Sequence, residues 1–363
     1  MIAFVINTRY NDIRYFLPAT KPYCNTDMLG KGKLMRILNV IDHILDKDSG
    51  NVILSQKEIA KDNLEISKYV EKVIDKFEKS EYVELELSRI PMLEQFWNGR
   101  DDFQKLTEKF ALDYFDSIKV NEKIPGGDLL FFNVELEDLS QMIGIAKLDY
   151  TQRYIHNVEY DDDVLVNNIV QNNSILPSPS QGVKNMLLMD GDKVQLREQQ
   201  YTGESGKWLM SRDFLNVAAV PAKVSNNVKQ IKKSIQKISE QYDDGDDFTV
   251  TSKTQQAIHD SIETDGVIDN DYIADVVFDQ KEEAKAEFKD QLAKKAIEPV
   301  VSVPNADYFE KKYERQKIKL DNGIEINVPI SLLKNRDAIE FETNPDGSTS
   351  VVIKNIGSLK SNF

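Results

Sequence analysis

The sequence predicts an α+β fold: an N-terminal mixed α/β region, a central antiparallel β-rich region, a helical region and a small C-terminal β unit. Three observations carry this reading. Strand-length apolar runs broken by turn residues fill 128–148 and 185–198. Apolar residues stepping by three and four dominate from about 225 to 296. The closing stretch, 316–356, is organised around Asn322-Gly323 and Asn344-Pro345-Asp346-Gly347, both tight-turn signatures. The expected regions are 1–120, 121–224, 225–298 and 305–363.

Residues 2–6 and 13–17 read as short strands turning near Asn11-Asp12. Leu34, Ile37, Leu38, Ile41 and Leu45 recur at helical spacing and predict a helix over 33–47, broken by Asp48-Ser49-Gly50-Asn51. Ser55, with Glu58 three residues on, reads as the cap of a further helix. A second helix over 66–79 carries Val70, Val73, Ile74 and Phe77, and Tyr82 to Leu87 alternates as a strand. Helix, turn, helix, strand is the outline of a winged helix. The second helix, however, mixes Lys68, Glu71, Lys72, Asp75 and Lys76 and lacks a series of Arg, Asn or Gln to read base edges. A plain helical layer fits the same residues.

Phe103, Leu106, Phe110, Tyr114 and Phe115 give 101–118 a helical core stripe. Pro125-Gly126-Gly127 breaks the chain before strands at 128–135 and 140–148. Asp161-Asp162-Asp163 is an acidic turn, 164–170 is apolar, and Pro177-Ser178-Pro179-Ser180 is a loop. Asp190-Gly191 predicts a hairpin between 185–189 and 193–198, and Phe214 to Val220 reads as a strand ended by Pro221. Val228, Ile231, Ile235, Ile238 and Tyr242 then form one face of a helix, followed by the acidic break 243–247. Asp269 caps a helix bearing Ile273, Val276, Val277 and Phe278; another spans 281–296, and Glu298-Pro299 to Pro304 leads out. Strands at 316–320, 324–328, 339–342 and 351–353, with a helical turn at 330–334, are expected to make one small sheet.

The net charge is −15 and the pI about 4.9. Phosphate contacts come chiefly from Lys and Arg, so a DNA-binding chain of this balance needs a local basic face. A protein partner for the acidic surface is an equally natural expectation. No apolar run is long enough to span a bilayer, so no membrane partner is expected. Met1 to Ile6 is apolar but lacks a basic lead and a cleavage site, and reads as a strand instead of a signal peptide. Cys24 is the one cysteine, which excludes an intrachain disulfide and suits a reducing cytoplasm.

Few residues suggest catalysis. His43, His156 and His259 are read as unpaired with another His, Cys or Glu at ligand spacing, so neither a metal nor a cofactor is expected. His156 could act as a general base or be a structural histidine. Gly203-Glu204-Ser205-Gly206-Lys207-Trp208 departs from the phosphate-loop pattern and reads as a turn. Gly30-Lys31-Gly32-Lys33 is too short for a dinucleotide fingerprint, although such a turn could hold a phosphate at a helix start. The acids at 243–247 do not follow the calcium-loop pattern. Asp149, Glu159 and the 161–163 acids leave a metal-dependent nuclease open. Two basic sets remain. Lys229, Lys232, Lys233 and Lys237 lie on one helix; Lys311, Lys312, Arg315, Lys317 and Lys319 alternate with Tyr308, Phe309 and Tyr313. Of these, Lys229, Lys232, Lys233, Lys237, Lys311, Lys312 and Arg315 are the candidate DNA contacts, tracking phosphates without reading sequence.

The run from Lys319 through Asp321-Asn322-Gly323-Ile324 to Pro329, then Ile339-Glu340-Phe341 with Asn344-Pro345-Asp346-Gly347, then Ile353-Lys354-Asn355-Ile356, resembles the C-terminal signature of the bacterial YejK/NdpA-type nucleoid-associated protein family. Upstream, Ile124 to Leu130, Lys147-Leu148-Asp149-Tyr150, Tyr154-Ile155-His156 and Ile175-Leu176-Pro177-Ser178 are similar to that family's central segment, in the same order. The resemblance implies a cytoplasmic, nucleoid-located protein that binds DNA with little sequence specificity and has no enzymatic activity. It brings no catalytic residues and does not say which residues touch DNA. A DNA-topology protein and a second copy of the chain are the protein partners that accord with it. A protein-interaction adaptor of DNA-topology or chromosome machinery is the alternative reading.

Overall fold

The computed structural model describes residues 35–161, 163–204, 206–242, 247–333, 335, 337–345, 348–358 and 360. The expected strands at 2–6 and 13–17, Cys24 and Gly30 to Lys33 lie outside the described residues, as do Asp162, Ser205, Asp346 and Gly347. The fold is α+β, and it divides into two units. The first comprises Met1–Asp75, Ile90–Asp192 and Tyr201–Trp208; the second comprises Lys76–Arg89, Lys193–Gln200 and Leu209–Phe363.

The first unit is built on five antiparallel strands in the order Asn51–Ile53, Met35–Asp46, Gly127–Leu136, Gln141–Asp149 and Asn185–Asp190. Gly127 to Glu135 and Met142 to Asp149 are buried without alternation, because both faces of the sheet are covered. Helix Phe103–Ile118 supplies one cover. Phe110 meets Phe131 edge-on at 5.5 Å, and Phe96 stacks on the same ring at 6.1 Å. Gly144 sits directly opposite Phe132, and a Cβ at Gly144 would overlap the Phe132 ring.

Four local expectations change. The helix over 33–47 is a strand, Met35–Asp46. Its pairing slips between Ile37 and Asn39, so that Met35 and Ile37 share a face with Val40 while Ile41, His43 and Leu45 lie on the other, and both faces are buried. Ile41 and Leu45, four residues apart, are two strand repeats apart on one face, so their spacing fits a strand as well as a helix. The segment opened by Ser55 is not helical either. The Ser55 hydroxyl donates to the Asp42 carbonyl, and its N–H donates to His43 Nδ1, so it closes against the strand instead of capping a helix. Only Leu64–Glu78 is helical between 55 and 80, so the winged-helix outline lacks its first helix. Phe214 to Val220 is not a strand: Leu215 N–H donates to Met210 O and Val217 N–H to Ser211 O, spending in local turns the donors a ladder needs.

After Tyr150 the chain continues into Thr151–Asp161, which pairs with Val164–Ile175 as a separate two-stranded ribbon.

The second unit is mainly helical. Helices Val224–Tyr242, Asp247–Asp265, Asn270–Phe278, Glu282–Lys294 and Ala306–Tyr313 enclose one apolar core that includes Ile231, Ile235, Ile258, Phe278, Phe288 and Phe309. Asp269 caps its helix as expected, accepting from the N–H groups of Asp271 and Tyr272. Strands Val83–Glu86 and Lys193–Arg197 pair within this unit, as do Val267–Asp269 and Val300–Ser302. The C-terminal strands form two hairpins, Arg315–Lys319 with Glu325–Pro329 and Ile339–Thr343 with Thr349–Ile353, not one sheet. Pro329 and the helical turn Ile330–Leu333 separate them, and Ile318, Val328 and Ile339 share a small core with Phe248 and Phe341. Gly323 takes φ 88° in the first hairpin's turn. Among the described residues, no helix is long and apolar enough to cross a membrane.

Candidate nucleic-acid interface

The helix Val224–Tyr242 is polarised by its sequence. Val224, Val228, Ile231, Ile235 and Ile238 are buried, and Lys229, Lys233 and Lys237 recur at four-residue intervals on the exposed side. No Asp or Glu occurs between Val224 and Ser239. Glu81 accepts from the Ser225 N–H and hydroxyl at 2.8 and 2.7 Å, placing a carboxylate at the helix start, where the macrodipole favours it.

Lys232 turns inward from the other three lysines. Its ammonium lies 5.5 Å from the Tyr313 ring centroid. Burial, then the neighbouring charge of Lys312, holds its pKa below the ordinary lysine value. The Lys312 ammonium lies 5.2–5.8 Å from the rings of Phe309, Tyr308 and Tyr313. The two basic sets therefore meet through Lys232 and Lys312.

Lys295, which the sequence reading missed, joins them. Its Nζ donates to Ser234 Oγ at 2.7 Å, and burial together with Lys233 and Lys237 lowers its pKa. Its signal was present as a lysine closing the helix Glu282–Lys294, but only packing brings that helix end beside Ser234. Arg315 donates through Nη2 to Asn327 O at 2.9 Å, which fixes it on the first C-terminal hairpin. Lys317 is paired with Glu325 at 2.7 Å. Among the described residues, Lys229, Lys232, Lys233, Lys237, Lys311, Lys312 and Arg315 form no ion pair. Two lysines of neighbouring helices are paired: Lys285 with Asp275 and Glu282, and Lys289 with Asp271.

The histidines separate. His43 is buried; its Nε2 lies 3.0 Å from Thr107 Oγ1 while its Nδ1 accepts the Ser55 N–H, and burial lowers its pKa to about 4. It is a neutral structural imidazole. His156 stands exposed on the ribbon opposite Ile169. His259 corrects the sequence reading: Glu263 lies one helical turn on and Asp260 is adjacent, with carboxylate oxygens 3.7 and 3.6 Å from Nδ1.

The first unit holds a buried polar network. Lys147, almost wholly enclosed, donates to Asp149 Oδ1 at 3.2 Å and to Pro125 O at 3.3 Å. Tyr201 donates to Asp149 Oδ2 at 2.9 Å and accepts from Asn185 Nδ2 at 2.7 Å. Asp149 thus has both oxygens engaged. On the opposite face of the sheet, Tyr150 donates to Asp128 Oδ1 at 2.7 Å. Asp42 is pushed up to about 8 by burial, by the Asp128 charge and by their shared hydrogen bond. These two carboxyls hold one proton between them.

A family model described as NA37, nucleoid-associated protein YejK, matches residues 41–360, nearly the whole chain. No curated protein matches it.

Proposed function

This chain belongs to the nucleoid-associated protein YejK family, and we propose that it binds duplex DNA with little sequence preference, in the cytoplasmic nucleoid and without catalysing a reaction of its own. One observation carries the reading: the lysine helix and its neighbours present cations without acid partners in a chain of net charge −15. Lys229, Lys233 and Lys237, with Lys295 and Lys312 beside them, are the phosphate contacts, and Lys311 and Arg315 extend the track. Lysine offers a point charge, not a bidentate fork for a base edge, so this set holds the backbone and leaves sequence unread. The low pKa of Lys232 fits the same role, because a phosphate would compensate an ammonium that burial and Lys312 disfavour.

The experiment is a titration of the full chain with a duplex of mixed sequence at several salt concentrations. About five phosphate contacts give a log–log slope near −4.5, or a loss of roughly 10²–10³ in affinity from 50 to 200 mM salt. Absence of binding at low salt would overturn the proposal.

A further inference from the structure

Buried polar atoms in a folded chain nearly always find a partner, so an orphan asks for a cause. The two buried histidines differ in this respect. His43 has both ring nitrogens engaged, one with Thr107 and one by the Ser55 N–H. His259, 9% exposed, has a buried Nδ1 with no hydrogen-bond partner among the described residues. That nitrogen faces two carboxylates of its own helix, Asp260 Oδ1 at 3.6 Å and Glu263 Oε2 at 3.7 Å. One ligand atom from each of the three residues lies within 4.8 Å of the others.

We propose that His259 Nδ1, Asp260 and Glu263 bind a divalent transition-metal ion of the Zn²⁺ class, with water completing the coordination. Three features select that ligand. The first is spacing. The gaps from Nδ1 are too wide for a hydrogen bond, and a water bridging two atoms at about 2.8 Å each would set them about 4.6 Å apart. A metal ion bonded at about 2.0–2.1 Å sets two ligand atoms about 3.0–3.6 Å apart at angles of about 90–120°. The observed spacing is close to the upper end, and Glu263 is exposed and free to close the difference.

The second is the donor set. One imidazole and two carboxylates suit a borderline ion such as Zn²⁺, whereas Ca²⁺ and Mg²⁺ take oxygen ligands throughout. The third is charge. Both acids lie within the last two turns of Asp247–Asp265, and its last turn has no basic residue. The helix end already carries partial negative charge, so carboxylates are disfavoured there and a cation is favoured. The scaffold is fixed before the ion arrives. Ile258 and Ile262 hold the helix on the core, and Ser261 donates to Val267 O while accepting the Asp269 N–H. The ion would tie this turn to the next and stabilise the helix end.

The inference is independent of the DNA reading, and its test contains no DNA. The full chain, with Cys24→Ser to remove a competing thiol, is stripped with EDTA and titrated with Zn²⁺ against a chromophoric chelator. One ion per chain should bind at micromolar concentration or tighter, and the melting temperature should rise with Zn²⁺. Glu263→Gln and Asp260→Asn lie outside the core and should each weaken binding at least about 10-fold, since even a lost hydrogen bond to a ligand costs about 10–100-fold. Long-range proton–nitrogen spectra of the three histidines locate the ion: His259 Nδ1 should shift with Zn²⁺ while His43 and His156 stay in place. Absence of Zn²⁺ binding tighter than about 100 μM overturns the proposal. So does binding that both carboxylate substitutions leave unchanged, which would mark an adventitious ion only, and so does a Zn²⁺ shift confined to His156.

Discussion

The Lys232 ammonium lies over the Tyr313 ring, 5.5 Å from its centroid, and this contact joins the lysine helix to Ala306–Tyr313. The two basic sets, far apart in the chain, become one surface at that point. Lys232 is disfavoured there by burial and by Lys312. Lys232→Met keeps the apolar stem against the ring and removes the disfavoured charge. We expect its melting temperature to match or exceed that of the wild type, while its DNA affinity falls. A drop of more than about 3 °C, roughly 1 kcal/mol for a domain of this size, would count against a disfavoured charge.

Lys229, Lys233 and Lys237 are exposed and outside the core, so their charge can be reversed without disturbing packing. The triple change to Glu should weaken duplex binding by at least about 10²-fold at low salt and flatten the salt dependence by about three in log–log slope. Fluorescence anisotropy at matched salt gives both quantities. An unchanged slope would clear this helix of phosphate contact.

Stability should fall on both sides of neutrality for separate reasons. The folded pKa of His43, about 4, is below its ordinary 6.5, so the unfolded chain binds more protons between these values. The stability His43 contributes is present above pH 6.5 and is lost as pH falls toward 4. Asp42 has the opposite sign. Its folded pKa is raised from 3.8 to about 8, so the native state holds the extra proton and stability is lost as pH rises through that range. Asp42→Asn mimics the protonated form and can still donate to Asp128. It should raise the melting temperature at pH 8 and above, and remove the alkaline slope, while the acid slope remains. Melting curves from pH 5 to 9 check both limbs.

Gly144 and Phe132 are direct cross-strand partners, and a Cβ at Gly144 would occupy the ring's position. Gly144→Ala should cost about 1–3 kcal/mol, the range for overpacking a filled core. Phe132→Leu should recover part of that loss when combined with it, because the smaller side chain leaves room for the methyl. Chemical denaturation of the single and double variants gives the coupling directly; additive losses would mean that the ring is not the obstacle.

The sequence by itself determined the elements whose signals are local. The helices over 103–118 and 224–242 follow from apolar steps along one face, the cap at Asp269 from one side chain and its neighbouring N–H groups, and the first C-terminal hairpin from Asn322-Gly323. The family, too, was legible in short separated motifs, which the match over 41–360 bears out.

Tertiary structure decided what depends on distant partners. Met35–Asp46 is a strand because Gly127–Leu136 pairs with it, and its four-residue apolar spacing fits two strand repeats as well as one helical turn. Thr151–Asp161 became a strand only through Val164–Ile175. Phe214 to Val220 had strand composition, but its N–H groups turn back to Met210 and Ser211. Lys295 entered the basic surface through Ser234, and Lys232 met Lys312 through Tyr313. Periodicity records which face of an element is apolar. It does not record which elements meet, because that is set by long-range packing and by the backbone donors and acceptors left over once local turns are made.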